Sequence, residues 1–384
     1  MAQSSPALPG LRVLHLHSGN MMGGIESLLL TIAGCQNVIP QVRHEFALTF
    51  DAQFARQLRE RKARVHLLPQ ARLRHWPSLW QTRAQLRMLL REEHFDVVVS
   101  HSVWVQLIFA DIVRELQVPV VFWMHGPFDG HWLQKLASFQ PPDFAICNSR
   151  WTRSTLNRCY PRVPSAVIYA PVRGTNRAES REQTRATMGV RPEEVLILIA
   201  ARMEPWKGHA DLLRALRTVR SSANWRLFVA GAPNTPSESA YFKSLVEQAA
   251  SFGIGDRVEF LGYRSDIPAL LAAADIYCQL NREPEPFGVV FVEALQAGVP
   301  VVTSRLGGAQ EILDASTGLL VQAGDSRALA RALTELMEGP SLRRQLGSSG
   351  PARAQQLCNP EHQMRMIAET LHSVVVRSGR VSRP

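Results

Sequence analysis

Lysine is almost missing from this chain. Only four of its 43 basic residues are Lys (Lys62, Lys135, Lys207 and Lys243), and the rest are Arg. Positive charge therefore rests on permanently ionised guanidinium forks, and a Lys in a loop stands out. Long apolar runs are missing too: the longest, such as Val195 to Ala201, are strand-sized, and a membrane span needs about 18 to 20 apolar residues. Residues 1–10 carry no Lys, Arg or hydrophobic stretch, so they fit neither a secretory signal nor an anchor. Cysteine is scarce, odd in number and scattered (35, 147, 159, 278, 358), which suits reduced core thiols and not a disulfide framework. There is no Asp-x-Asp motif and no His or Cys cluster of ligand spacing, so no metal is expected. A cytoplasmic location follows as the expectation.

At 384 residues, 46% hydrophobic and 7% aromatic, the chain has the length and composition of two folded domains. Its charge of +10 is uneven: residues 1–180 hold 20 basic against 12 acidic side chains. The excess gathers at Arg56, Arg59, Arg61, Lys62, Arg64, Arg72, Arg74, Arg83, Arg87 and Arg91, interleaved with Trp76 and Trp80. Arg beside Trp suits an anionic membrane surface or an acidic acceptor. Equally, it fits a solvated helical face with Leu79, Leu86, Leu89 and Leu90 turned to the core. No nucleic-acid partner is expected.

Apolar strand candidates alternate with helical stretches. The first series is Arg12 to His17, Phe46 to Phe50, Val65 to Leu68, Asp96 to Ser100, Val118 to Met124, Phe144 to Cys147 and Val167 to Tyr169. The second is Val195 to Ala200, Trp225 to Ala230, Arg257 to Leu261, Asp275 to Gln279, Val299 to Thr303 and Gly318 to Val321. Such alternation predicts α/β architecture with two doubly wound, Rossmann-like parallel sheets. The turn-rich stretch 170–177 reads as the linker. The predicted domains are residues 1–172, 173–358 and a terminal helix in 359–384, capped by Asn359.

Glu285 and Glu293 bracket a segment that enters through Pro284 and Pro286, turns at Gly288 and reads as helix until Gly298 and Pro300. Eight helical steps would place the two carboxylates roughly 12 Å apart. Free N–H groups near Gly288, Val289 and Val290 suit a diphosphate. Arg202 and Lys207, five residues apart on a strand-to-helix connection, can turn toward one anion. Gly23 and Gly24 lie at the turn after the first strand, where backbone can approach phosphate. Gly231 ends another strand, with simple chain reversal nearly as good a reading. His125 follows a strand and faces the crevice end of the sheet. Histidines 15, 17 and 101 sit similarly, so position alone does not choose among them.

The stretch from Glu285-Pro-Phe287-Gly288 through Glu293 and Ala297-Gly-Val-Pro300 to Gly307-Gly308 and Glu311 resembles the signature of the family-four retaining glycosyltransferases of the GT-B fold (group 1 glycosyl transferases). That resemblance implies two domains facing across a cleft, with the last helix crossing back to the first domain. It also implies transfer of a sugar, with retention and without metal or other cofactor, from a nucleotide diphosphate sugar to an unidentified glycan, lipid-linked or small-molecule hydroxyl acceptor. By resemblance, Arg202 and Lys207 bind the diphosphate, and the loop of Gly23 and Gly24 borders it. Tyr263 and Arg264 lie in the loop framing the base, with contacts there largely main-chain. His125 contacts the donor sugar by hydrogen bonding, with His101 ranked below it. Phe287, Gly288, Val289 and Val290 complete the donor site. Glu293 anchors the ribose and Glu285 lies near the sugar.

One departure is Ala170-Pro-Val-Arg173 where the family usually has Asn-Gly-Val-Asp, which puts linker-side contacts in question. The alternatives are another GT-B enzyme, such as a nucleotide-sugar epimerase or a phosphorylase, and a non-catalytic binding protein holding its basic domain to an anionic membrane or polymer. An epimerase would lack Glu285 paired with Glu293 in this context, a phosphorylase would need a cofactor lysine that nothing marks here, and the intact set Arg202, Lys207, Glu285 and Glu293 weighs against the binding protein.

Overall fold

The computed structural model describes residues 10–20, 22–71, 75–174, 180–219 and 221–379. Arg72 and Arg74 of the basic stretch, residues 1–9, and residues 175–177 of the predicted linker lie outside this set. By contacts the chain divides into two compact units, Met1–Arg173 with Cys358–Pro384, and Gly174–Leu357.

In the first unit the strands are β1 (Leu11–His17), β2 (Val42–Leu48), β3 (Arg64–Leu67), β4 (Val97–Ser100), β5 (Val120–Met124), β6 (Phe144–Cys147) and β7 (Ser165–Val167). They lie in the order β3-β2-β1-β4-β5-β6-β7. In the second they are β8 (Val195–Ala200), β9 (Trp225–Ala230), β10 (Val258–Gly262), β11 (Ile276–Gln279), β12 (Val301–Ser304) and β13 (Gly318–Val321). Their order is β10-β9-β8-β11-β12-β13. Every strand pairing is parallel. Burial on both faces explains why β4, β5, β6, β11 and β12 are buried at every residue. The doubly wound α/β expectation holds for both sheets.

In each sheet the winding reverses between the first strand of the unit and its fourth, at β1/β4 and at β8/β11. Ligands of such folds bind outside the carboxyl ends of the strands at this reversal.

Three readings are corrected. The second strand starts at Val42, four residues before the expected Phe46, because its polar residues are paired: Glu45 with Arg12 at 2.7 Å and with His66 at 2.8 Å. The last first-unit strand is Ser165–Val167 and not Val167 to Tyr169. The predicted linker does not begin loose at 170. Ala170 and Val172 are buried, the Val172 N–H bonds to Cys358 O at 3.0 Å, and Arg173 caps Gly34 O at the end of the helix Gly24–Gly34.

The helix Trp76–Glu93 buries Leu86 and Leu90 against the core, with Leu79 and Leu89 partly covered. Much of its basic charge is spoken for. Arg83 pairs with Asp111 at 2.5 Å and Arg87 with Glu115 at 2.6 Å, both on the helix Val103–Glu115. Trp76 and Trp80 stay 81% and 75% exposed. No helix of the described residues is long and apolar enough to cross a membrane. All five cysteines are free and buried.

Candidate functional site

In the second unit, two connections 78 residues apart in sequence are zipped together where β8 and β11 end. After β8 the chain passes Arg202 into a short 3-10 turn, Pro205–Lys207, and leaves it at Gly208 with φ +80°. A Cβ on Gly208 would lie 1.8 Å from Leu280 O. Only glycine permits both that φ and that approach. The Arg282 N–H bonds to Trp206 O at 2.7 Å, and the Arg282 guanidinium grips Asp211 at the start of the helix His209–Thr218. These contacts bring Lys207 Nζ to 2.7 Å from Glu285 Oε2, with both side chains 13% exposed. Lys207 also lies over the Trp206 ring, 3.8 Å from its centre.

A ladder of buried polar side chains climbs β11 to the same carboxylate. Tyr277, Gln279 and Asn281 share one face by the two-residue strand period. The Tyr277 hydroxyl donates to Gln279 Oε1 at 2.8 Å, and Gln279 Nε2 donates to Asn281 Oδ1 at 2.9 Å. Asn281 Nδ2 then donates to Glu285 Oε2 at 3.1 Å. Amides with fixed partners hold their orientation, so Glu285 is pre-aimed.

The helix Val289–Gln296 begins directly after this loop. Gly288 takes φ +97° at its start, where a Cβ would lie 2.4 Å from the Phe291 ring. The N–H groups of Val289 and Val290 open the helix without intrahelical acceptors. From one side, Gly307 and Gly308 press on the main chain of residues 285–287, with Gly308 N donating to Glu285 O at 2.8 Å. From the other, Gly347 and Gly350 pack where a Cβ would lie 2.2 Å from Gly298 O and 2.5 Å from Leu295 O. Five close glycine contacts thus set the position of this helix.

Glu293 sits inside the helix, half-buried, and forms no ion pair among the described residues. Burial pushes its carboxyl up to about 7. Both Glu285 and Glu293 act electrostatically on the Tyr277 phenol, whose pKa is raised chiefly by burial. The 12 Å separation computed for a continuous helix does not apply, because residues 285–288 are not helical.

The other residues singled out in this unit are spread more widely. Arg202 is half-exposed and pairs with Glu204 at 3.1 Å, not with the Glu285 cluster. Gly231 has φ +149° and donates to Gly262 O at 2.8 Å, its Cα tight on Ala201 O, so the ends of β8, β9 and β10 are drawn together. Tyr263 is 61% exposed, while Arg264 spends its charge on Asp266 of its own loop at 2.8 Å. Phe287 is 3% exposed, so its side chain belongs to the core.

In the first unit, Gly23 is extended and caps the helix Gly24–Gly34, and a Cβ on Gly24 would meet nothing within 4 Å. Packing does not demand glycine at Gly24. The open space beside it is what a ligand could use. Glu26, in the first turn, bonds His17 Nε2 at 2.6 Å. His125, just past β5, stacks on Trp123 and bonds His101 at 2.9 Å. Burial lowers its pKa to about 3, so it is neutral across the physiological range.

Sequence reasoning missed Tyr277, Gln279, Asn281, Trp206 and Asp211. The first three carried a signal, polar residues at every second position running off a buried strand. The other two did not, since their roles depend on which loops meet.

Comparison with known proteins agrees with this geometry. The profile described as Glycosyl transferases group 1 matches residues 180–353, and that described as Glycosyltransferase Family 4 matches residues 23–173. The chain belongs to this family of GT-B glycosyltransferases. A GDP-mannose-dependent monoacylated alpha-(1-6)-phosphatidylinositol monomannoside mannosyltransferase of Corynebacterium glutamicum is 30% identical, over 46% of this chain and 47% of its own. The phosphatidyl-myo-inositol mannosyltransferase of Mycobacterium leprae is 38% identical, over 38% of each chain. The chain thus spans about half or less of the length of these curated relatives. Among solved structures, Anabaena HepE in complex with UDP and glucose superposes with a TM-score of 0.84 at 26% identity, covering 94% of this chain and 100% of the other.

Proposed function

We propose that this protein is a retaining glycosyltransferase that moves a sugar from a nucleoside diphosphate sugar to a hydroxyl acceptor. The observation that carries the proposal is the Lys207–Glu285 pair, held by the Tyr277–Gln279–Asn281 ladder at the open end of the helix Val289–Gln296. Relatives named as mannosyltransferases and a UDP-bound structural neighbour support it.

In this reading the diphosphate takes the N–H groups at the helix start and draws Lys207 toward itself. Glu285 then turns from the ammonium to the sugar hydroxyls. Arg202 swings from Glu204 to the same anion. Glu293, with no cationic partner among the described residues and a carboxyl pKa near neutrality, accepts the ribose hydroxyls. As the bond from the anomeric carbon to the leaving phosphate oxygen breaks, a bond to the acceptor oxygen forms on the same face. The acceptor's proton passes to the leaving phosphate. The preorganised cation and N–H groups stabilise the charge growing there, so no metal is required.

The finer reading of the first unit is docking at an anionic membrane surface by the exposed Trp76 and Trp80 of its basic stretch. Vesicle association that falls steeply with salt tests this; salt-independent or absent association rejects it.

The principal test is thermal stability with UDP, GDP and ADP and their sugars, without added metal. One of them at 100 times its Kd stabilises by about 2.7 kcal/mol. No response from any member would refute the transferase reading.

A further inference from the structure

Four histidines of the first unit form one continuous hydrogen-bonded chain of imidazoles. His44 Nδ1 meets His15 Nε2 at 2.9 Å, His15 Nδ1 meets His101 Nε2 at 2.8 Å, and His101 Nδ1 meets His125 Nε2 at 2.9 Å. Each link joins the Nδ1 of one ring to the Nε2 of the next, so the rings run head to tail.

The sheet register explains the regularity. His44 pairs with Val13, and His15 lies two residues further along β1. His15 pairs with Val99, and His101 lies two residues beyond that. Ser100 pairs with Phe122, which sets His101 opposite Trp123, and His125 is again two residues on. Each step moves one strand across and two residues toward the carboxyl ends of the strands. The chain therefore climbs from inside the sheet face, where His44 is 2% exposed, to the strand-end turn that holds His125.

A neutral imidazole has one N–H and one lone pair. In a head-to-tail chain, every link is satisfied only if all four rings protonate the same nitrogen. All-Nδ1–H rings donate toward His125 and leave it an outward Nδ1–H; all-Nε2–H rings donate toward His44 and leave His125 an outward Nδ1 lone pair. A ring of the opposite sense would place two N–H groups, or two lone pairs, face to face in a buried site. The rings are not free to turn: Phe46 stacks on His15 at 18° between planes, and Trp123 stacks on His125 at 11°. Burial keeps all four neutral. No group of three or more His, Cys, Asp or Glu among the described residues is placed to hold a metal ion.

We propose that His44, His15 and His101 are positioning residues that act in series to set which ring nitrogen of His125 carries the proton. They thereby decide whether His125 donates to or accepts from a ligand hydroxyl. The functional half of this rests on the reading of His125 as a contact to the donor sugar.

The test is nitrogen NMR of the full chain labelled in its histidine rings, at pH 7. In the wild type, all four imidazoles should show the same tautomer. His44→Leu leaves His15 Nε2 facing apolar surface, where a lone pair is tolerated better than an orphaned N–H. His15, His101 and His125 should then all be protonated on Nδ1. Mixed tautomers among the four wild-type rings, or His125 protonated on Nε2 in His44→Leu, overturns the proposal. A merely space-filling His44, three hydrogen bonds away, would have no such reach. If His44→Leu does not fold, His44→Asn keeps a polar atom in place of Nδ1, and the remaining three rings must still agree with one another.

His101→Leu cuts the chain and leaves His15 Nδ1 and His125 Nε2 both facing apolar surface, where by the same preference both stay bare. His15 and His44 should then be protonated on Nε2 and His125 on Nδ1, opposite senses across the cut, and one tautomer shared by all three overturns the relay. The variant that moves the His125 proton off its wild-type nitrogen should lower kcat roughly tenfold or more, with nucleoside diphosphate affinity unchanged. A moved proton with unchanged kcat would uphold the relay and refute instead the sugar-contact reading of His125.

Discussion

The two sheets reverse direction at the same place in their topology, yet they end in opposite chemistry. Beside β1/β4 the strand ends carry imidazoles that burial strips of charge. Beside β8/β11 they carry an ammonium–carboxylate pair and a second carboxyl with raised pKa. The difference teaches that the shared winding supplies only a location. What is bound there depends on a handful of side chains at strand ends and on the loops that hold them. A neutral, tautomer-sensing end suits hydroxyl groups, and a charged end suits phosphate.

The largest effect that would break this comparison is on turnover. Glu285→Ala should lower sugar transfer by roughly a hundredfold to a thousandfold. It should leave nucleoside diphosphate affinity equal or tighter, because Lys207 loses its competing carboxylate. Loss of diphosphate binding would show that the Lys207–Glu285 pair builds the phosphate site and does not guard it.

Next is pH. His44, with its pKa lowered to about 4, and His125, lowered to about 3, bind protons more readily unfolded than folded. Their contribution to stability is therefore full above pH 6.5 and is lost as pH drops toward 4. His44→Gln should flatten that fall by about 3 kcal/mol. Glu293 has the opposite sign. Its folded carboxyl, raised to about 7, holds a proton that the unfolded chain has released. It lowers stability progressively as pH rises from about 4.5 to 7, and Glu293→Gln should remove that slope. Denaturant titrations of each variant across pH 4 to 8 check both slopes. Slopes of the same sign would abolish the contrast between the two strand ends.

Gly288→Ala should cost about 1 to 3 kcal/mol, since an alanine at φ +97° would also collide with Phe291. Diphosphate affinity should weaken with it as the helix start shifts. The smallest expected effect is at Gly24, where a Cβ has room. Gly24→Ala should change stability by less than about 1 kcal/mol. If the open loop does meet the donor, KM should rise while the melting temperature holds, and an unchanged KM would remove Gly24 from the site.

Much of the fold was legible because parallel strands buried on both faces write themselves as apolar runs. Phe144–Cys147, Val195–Ala200, Trp225–Ala230 and Gly318–Val321 lie where the apolar runs put them. β2 was half hidden, since His44 and Glu45 look polar until their partners His15, Arg12 and His66 are in place. The helix start at Gly288 was legible from its flanking Pro and Gly. The engagement of Lys207 by Glu285 was not, because it depends on Gly208 seating against Leu280 O across two loops. The imidazole chain was invisible for a stronger reason. Its four members sit in or just past four different strands, and only the inter-strand register aligns them.

The central claim, that the second unit binds nucleoside diphosphate through Lys207 without metal, is tested most directly by calorimetric titration of UDP, GDP and ADP in the presence of a chelator. One of them should bind the wild type and the Arg83→Ala variant alike, and Lys207→Ala at least a hundredfold more weakly, a loss of about 2.7 kcal/mol. Equal affinity in Lys207→Ala, or binding that requires a divalent cation, would contradict the account.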